Sequence, residues 1–286
     1  MIQIPGIDTE TNTHFDTPSD PVVLLHGTAM DPATWTGLRE HIGCRLPVSA
    51  PSLPGYGRDS RWRPDHPARL DSSAEELAQG ILLPDRPVHL VGHDFGAVLA
   101  MKIASANPGH VASLTLIEPI AYNCLFPVHE DVWQIHREVS VTVERMNDLL
   151  AAGDAGGAMA RYTDLVNGEG TWLRTSERHR LTLALQARQA LSDLRAIEAD
   201  RMSPGDLAGI VCPTLMIRGN RTSWMLEQVA LELRQSIPFL RDEVIDGAAH
   251  FPQLTYPHIV DPMIVEFLVR VGRQWQDNNV TLRNAA

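Results

Sequence analysis

Six short apolar runs punctuate the chain: Val22–Leu25, Leu46–Ser49, Val88–Val91, Leu114–Ile117, Thr214–Ile217 and Asp242–Ile245. Each is bounded by turn residues. Most are apolar throughout rather than alternating, a pattern that suits strands covered on both faces. Helical patterns lie between them. Ser72-Ser73-Ala74-Glu75-Glu76-Leu77 predicts a helix start with a hydroxyl cap and early acids. Phe95–Asn107 predicts a second helix, stopped by Pro108, and Met225–Ser236 a third. Strand and helix in alternation predict an α/β chain with a mostly parallel, doubly wound sheet.

The alternation breaks between about residues 120 and 206. Val132, Ile135, Val139, Val143, Met146 and Leu150 recur there at helical spacing, and Leu181, Leu185 and Leu191 mark another helical stretch. Gly153, Gly156, Gly157, Gly168 and Gly170 divide the region into short helices. The reading is a core of residues 1–119 and 207–286, with a helical cap, 120–206, inserted between two strands. The polar tail from Arg273 onward is expected to fray after the last helix.

Composition narrows the partners. Of 286 residues, 44% are hydrophobic and 21% charged, enough apolar matter for a large core. The net charge is −11 and no basic run stands out, which argues against a nucleic-acid partner. No apolar run approaches the roughly 20 residues that span a bilayer. Residues 1–15 show no basic and apolar leader pattern. Cys44, Cys124 and Cys212 are scattered, without metal or disulfide spacing. The expectation is a cytoplasmic protein with no membrane partner, no metal and no cofactor, acting on a small molecule. A homo-oligomer is compatible with this.

Three stretches carry the chemistry. In Gly92-His93-Asp94-Phe95-Gly96, a strand turns sharply into a helix between glycines that allow close packing. The central Asp94 is lifted out at the carboxyl end of the sheet, where a helix N-terminus favours negative charge. His26-Gly27-Thr28 directly follows the strand at Val22–Leu25. Asp246-Gly-Ala-Ala-His250 follows the late strand and puts a histidine, the natural base near neutral pH, at the same end of the sheet.

In order and spacing these stretches resemble the α/β-hydrolase superfamily. The likeness extends to Ala50–Ser60 ("APSLPGYGRDS") and Cys212–Asn220 ("CPTLMIRGN"). The resemblance implies an α/β-hydrolase fold with a nucleophile elbow at Asp94, a base at His250, and an oxyanion hole from the backbone N–H groups of Thr28 and Phe95. The family usually sets an aspartate after the strand at Thr214–Ile217. Here that segment reads Gly219-Asn220-Arg221-Thr222-Ser223, with no carboxylate. A minority arrangement takes the acid from the earlier strand just before the cap, and "LTLIEPIA" supplies Glu118 there.

An aspartate in place of the common serine suits attack at an sp³ carbon, leaving an alkyl ester that water then cleaves. This resembles the epoxide hydrolase and haloalkane dehalogenase branches. Phe95 lacks the N–H of the tryptophan that dehalogenases place after the nucleophile. Tyr122 and Tyr162 fit the cap tyrosines of epoxide hydrolases, although the proline usual in their HG loop is absent. With His26, Trp133 and Trp172 they form the expected substrate-binding set. His26 itself is expected to brace its loop rather than handle protons. Two other readings stay open: an esterase or lactonase scaffold carrying Asp at the serine position, and a non-hydrolytic, cofactor-free enzyme of dioxygenase or lyase type on the same fold.

Overall fold

A computed structural model describes residues 20–57, 69–126 and 130–284, with side chains as far as Arg273. The expectation of no leader at residues 1–15 and the end of the 50–60 loop lie outside the described residues. Among the described residues six strands form one sheet: β1 (Val22–Leu25), β2 (Val48–Ser49), β3 (Val88–His93), β4 (Val111–Ile117), β5 (Thr214–Gly219) and β6 (Leu240–Ile245). All pairings are parallel, in the order β2-β1-β3-β4-β5-β6.

The continuous apolar runs are explained by packing on both faces. Val23, Leu25, Leu90 and Leu116 join one core with α2 (Leu70–Ile81), α3 (Phe95–Ala106) and α10 (Trp224–Ser236). Val22, Leu24, Val91 and Ile117 join a second core with α1 (Thr36–Gly43) and α12 (Pro257–Asn284). Successive strand residues point to opposite faces, so both faces need apolar side chains.

The chain runs from β1 outward to β2, then crosses back to β3 and proceeds to the other edge. The loops leaving β1 and β3 therefore part in opposite directions at the carboxyl ends of the strands, the place where sheets of this kind bind ligands. The elbow glycines make this corner possible. A Cβ at Gly96 would lie 2.4 Å from the carbonyl oxygens of Leu25 and His26, and one at Gly92 2.5 Å from that of Gly96. Helix α3 thus rests directly on β1 and β3.

Helices α4 (Glu130–Ala151), α5 (Ala155–Asn167), α6 (Thr171–Arg174), α7 (Glu177–Ala184), α8 (Ala187–Glu198) and α9 (Pro204–Ala208) lie between β4 and β5. On α4 the buried residues are Ile135, Val139, Val143, Met146 and Leu150, the helical stripe seen in the sequence. Together with Leu191, Leu194 and Ile197 of α8 they join the same apolar cluster as α3.

Some elements differ from expectation. Helix α2 starts at Leu70, because Leu70, Ala74 and Leu77 share its buried face; Ser72 bonds back to the Arg69 carbonyl instead of capping. Strand β2 is only two residues long, since Pro47 has no N–H to continue a ladder. Leu181 and Leu185 are exposed rather than part of a buried stripe. The polar tail does not leave the helix at Arg273: α12 runs on to Asn284, as no Gly or Pro follows Gly272 to stop it. Among the described residues no helix is long and apolar enough to cross a membrane.

Candidate active site

Asp94 sits between β3 and α3 with φ 54° and ψ −121°, a conformation rare for any residue but glycine. It is held there by its N–H, which donates to the Ile117 carbonyl at 3.0 Å. The residue is 1% exposed, and both carboxylate oxygens are paired. Oδ1 accepts from the backbone N–H of Thr28 at 3.4 Å and from that of Phe95. Oδ2 accepts from the Tyr162 hydroxyl at 2.8 Å and lies 2.8 Å from Nε2 of His250. The two N–H groups expected to form an oxyanion hole are thus occupied by the carboxylate of Asp94 itself.

His250 follows β6 and is wholly buried against the rings of His93 and Phe251, each 4.9 Å away between centroids. Its Nδ1 faces Oε2 of Glu118 at 3.6 Å, an ionic contact rather than a hydrogen bond. Glu118, at the end of β4 with φ 45°, is fixed in turn. Its Oε1 accepts from the Gly219 N–H at 2.6 Å and its Oε2 from the Thr222 hydroxyl at 2.5 Å. The segment after β5 that lacks a carboxylate therefore supplies the groups that orient one.

The charges reinforce each other. Burial alone would push the His250 imidazole down, but the hydrogen bond to Asp94 and the facing Glu118 carboxylate raise it to about 9. Burial would likewise raise Asp94, yet His250 outweighs it and holds the carboxyl at about 2. The resting pair is carboxylate and imidazolium. The contribution of the imidazole to stability is complete below its ordinary 6.5 and is lost as pH climbs through about 9. That of the carboxyl is complete above 3.8 and is lost as pH falls toward about 2. Urea unfolding across this range is expected to show the pair's stabilisation greatest between about pH 4 and 6.5. Asp94→Asn should flatten the fall on both sides; an identical pH profile in the variant would reject the ion pair.

His93, next to the elbow, is kept neutral by burial and by the charge of His250, which lower it to about 3. Its Nε2 therefore donates to the His250 carbonyl at 2.9 Å and fixes the backbone that carries that imidazole.

The remaining expected residues divide. Tyr162 of α5 reaches Asp94. Tyr122 is buried but gives its hydroxyl to the Leu194 carbonyl at 2.7 Å, bracing α8 rather than facing the elbow. His26 receives the Leu53 N–H on Nε2 at 3.2 Å and turns Nδ1 to the Gly27 carbonyl at 2.9 Å, so its ring ties two loops together. Burial lowers it to about 4, so it is neutral. The expectation for Trp133 needs correcting. It is 61% exposed on α4, on the side away from the buried stripe. Trp172 is half-buried against the core and carries the Arg180 guanidinium 5.9 Å from its ring centroid, a packing role.

Asp193 and its partners Tyr56 and Gln189 escaped sequence reasoning. Asp193 of α8 is fully buried and takes hydrogen bonds from Tyr56, Thr28 and Gln189. Burial pushes its carboxyl up to about 7 against the pull of those donors. One signal was present. Asp193 shares the helical face of Ala190 and Ile197, and a carboxylate on an apolar stripe is rarely buried unless partnered.

Backbone donors at one strand end, a carboxylate on a strained backbone at the next, and an imidazole facing a second carboxylate converge at the carboxyl end of a doubly wound sheet. Comparison with known proteins identifies the family. Residues 22–261 match a family described as the Alpha/beta hydrolase family, and the chain belongs to it. It is 30% identical over 261 residues to a pimeloyl-(acyl-carrier protein) methyl ester esterase of Methylococcus capsulatus, covering 86% of this chain and 94% of that one. A further match, 38% over 109 residues, is to lipase LipV of Mycobacterium tuberculosis; it spans 36% of this chain and 39% of the lipase. The fold is similar to that of MenH from S. aureus, with TM-score 0.70 and 18% identity over 90% of this chain and 96% of that one.

Proposed function

We propose that the chain hydrolyses a small, largely apolar molecule bearing an electrophilic sp³ carbon, epoxide hydrolase-like, with Asp94 as nucleophile, His250 as base and Glu118 as its acid partner. The observation that carries this is the placement of the two carboxylate oxygens. Oδ1 rests on the N–H groups of Thr28 and Phe95, while Oδ2 meets Tyr162 and His250.

In the first step Oδ2 bonds to the substrate carbon as the ring C–O bond breaks. The departing oxygen takes a proton from the Tyr162 hydroxyl or the His250 imidazolium, and the net proton lost is the imidazolium's. Asp94 is now a neutral ester, so the main support for the raised imidazole is gone and His250 becomes a free base. It takes a proton from water, which attacks Cγ. The charge that develops on Oδ1 lies on two waiting N–H donors. Collapse expels the alcohol with a proton, and the proton left on Asp94 returns to His250.

The names of the sequence relatives favour a second reading, ester hydrolysis. An Asp nucleophile on an ester would have to form an anhydride, and its own oxygen already fills the hole. Substitution at position 94 distinguishes the two.

The test is the variant His250→Ala mixed with styrene oxide and, separately, a primary alkyl bromide. Intact mass should rise by one probe residue, with peptide mapping placing it on Asp94, and the adduct should persist. Absence of any adduct with either probe would sink the carboxylate mechanism.

A further inference from the structure

The cap drives a carboxylate into its junction with the core, at the loop that carries half of the oxyanion hole. Asp193 Oδ2 accepts from the Tyr56 hydroxyl at 2.6 Å and the Thr28 hydroxyl at 2.8 Å, while Oδ1 accepts from the Gln189 amide at 2.9 Å. The Tyr56 oxygen in turn accepts the Ala29 N–H at 2.9 Å. Ala29 has φ 59°, a left-handed conformation that disfavours any side chain and persists only under external constraint. One carboxylate thus grips both ends of the Thr28–Ala29 peptide. Thr28 is the residue whose own N–H meets Oδ1 of Asp94. The contact is close-fitting from the core side as well: a Cβ on Gly55, beside Tyr56, would lie 2.6 Å from the Gln189 amide nitrogen.

We propose that Asp193 is a positioning residue that aims the Thr28 N–H into the oxyanion hole, so that the hole is complete only while α8 is docked on the core. This rests on the reading of Asp94 as a nucleophile whose alkyl ester is opened at that hole. The two half-reactions then depend on Asp193 unequally. Alkylation turns Oδ1 from an anion into a neutral carbonyl oxygen and asks less of the donors. Hydrolysis builds a full charge on Oδ1 and asks more. A residue that only anchors the cap would instead alter entry and binding, and so adduct formation.

The experiment follows adduct formation and decay by intact mass after mixing with styrene oxide. The chains compared are unaltered protein, Asp193→Leu, Asp193→Asn and Tyr56→Phe. Asp193→Leu removes the acceptor. Adduct should form at a rate close to that of the unaltered chain and decay roughly 10- to 100-fold more slowly. Asp193→Asn keeps an acceptor oxygen at the same place and should recover most of the decay rate. Tyr56→Phe removes the donor to Asp193 and the acceptor of the Ala29 N–H without touching the helix, and should slow decay several-fold; it carries the test if the leucine variant does not fold. Unaltered decay in both Asp193→Leu and Tyr56→Phe, or formation slowed as much as decay, overturns the proposal. If His250→Ala traps the adduct while these variants clear it normally, this inference alone fails. If His250→Ala forms no adduct, the nucleophile reading falls and takes this inference with it.

Discussion

Asp94→Asn is expected to abolish turnover, with a loss on the order of 10⁴-fold or more, and to leave no covalent adduct. The amide is not a nucleophile at carbon, and without the facing charge the His250 imidazole loses its main support. The elbow itself should survive, because asparagine has the shape of aspartate and its amide oxygen can keep the N–H groups of Thr28 and Phe95. Loss of activity would then report chemistry rather than unfolding. A variant that kept its turnover would remove Asp94 from the mechanism altogether. Asp94→Ser asks the complementary question at the same position. Serine lacks the oxygen that now occupies the N–H groups of Thr28 and Phe95, so the hole opens to a substrate carbonyl while the hydroxyl remains within reach of His250. With p-nitrophenyl acetate a burst of p-nitrophenol is expected. A burst would mean the scaffold retains the ester chemistry named for its relatives; silence would leave that reading without support.

Glu118→Gln is expected to slow hydrolysis of the adduct by about 10³-fold while leaving its formation nearly intact. The Gly219 N–H fixes one oxygen of the side chain, so the glutamine amide nitrogen takes the place of Oε2, 3.6 Å from His250 Nδ1. The Thr222 hydroxyl can turn to accept from it. An N–H aimed at Nδ1 favours a lone pair there and puts the imidazole hydrogen on Nε2. That is the wrong tautomer, since Nε2 must accept the proton of water. The lost negative charge also lowers the imidazole, so the acid limb of the decay profile should move to lower pH. Pre-steady-state mass measurements across pH check both effects. Unchanged decay would reduce Glu118 to a bystander that merely holds the β5 end.

Local sequence marked much of this architecture because short-range physics suffices for it. Runs such as Val22–Leu25 are apolar at every position only when both faces of a strand are covered. The Gly92 and Gly96 spacing is required wherever a helix returns onto the strand it left, because a Cβ at either place collides with backbone. Asp94 and Glu118 directly follow β3 and β4 and His250 lies on the loop after β6, which is why they could be named from the chain and why the carboxyl end of the parallel sheet gathers them. Boundaries were less legible. Ser72 looked like a cap, but the burial of Leu70 set the start of α2. Trp133 looked like a cap residue for the site, yet α4 buries the stripe of Ile135 and Val139 and leaves the tryptophan outside.

The amino-acid order alone thus determined which segments become buried strands, that a tight corner presents an acid where hydroxyls are usual, and that the usual carboxylate after β5 is missing. Only the folded chain decided what that acid touches. Its two oxygens are divided between backbone donors and a histidine–tyrosine pair, and Asp193 reaches Thr28 and Tyr56 from 165 and 137 positions away. Hydrogen bonds act over about 3 Å. Along the chain such partners share no periodicity and no motif, so they become neighbours only once packing of the apolar faces has fixed where α8 lies.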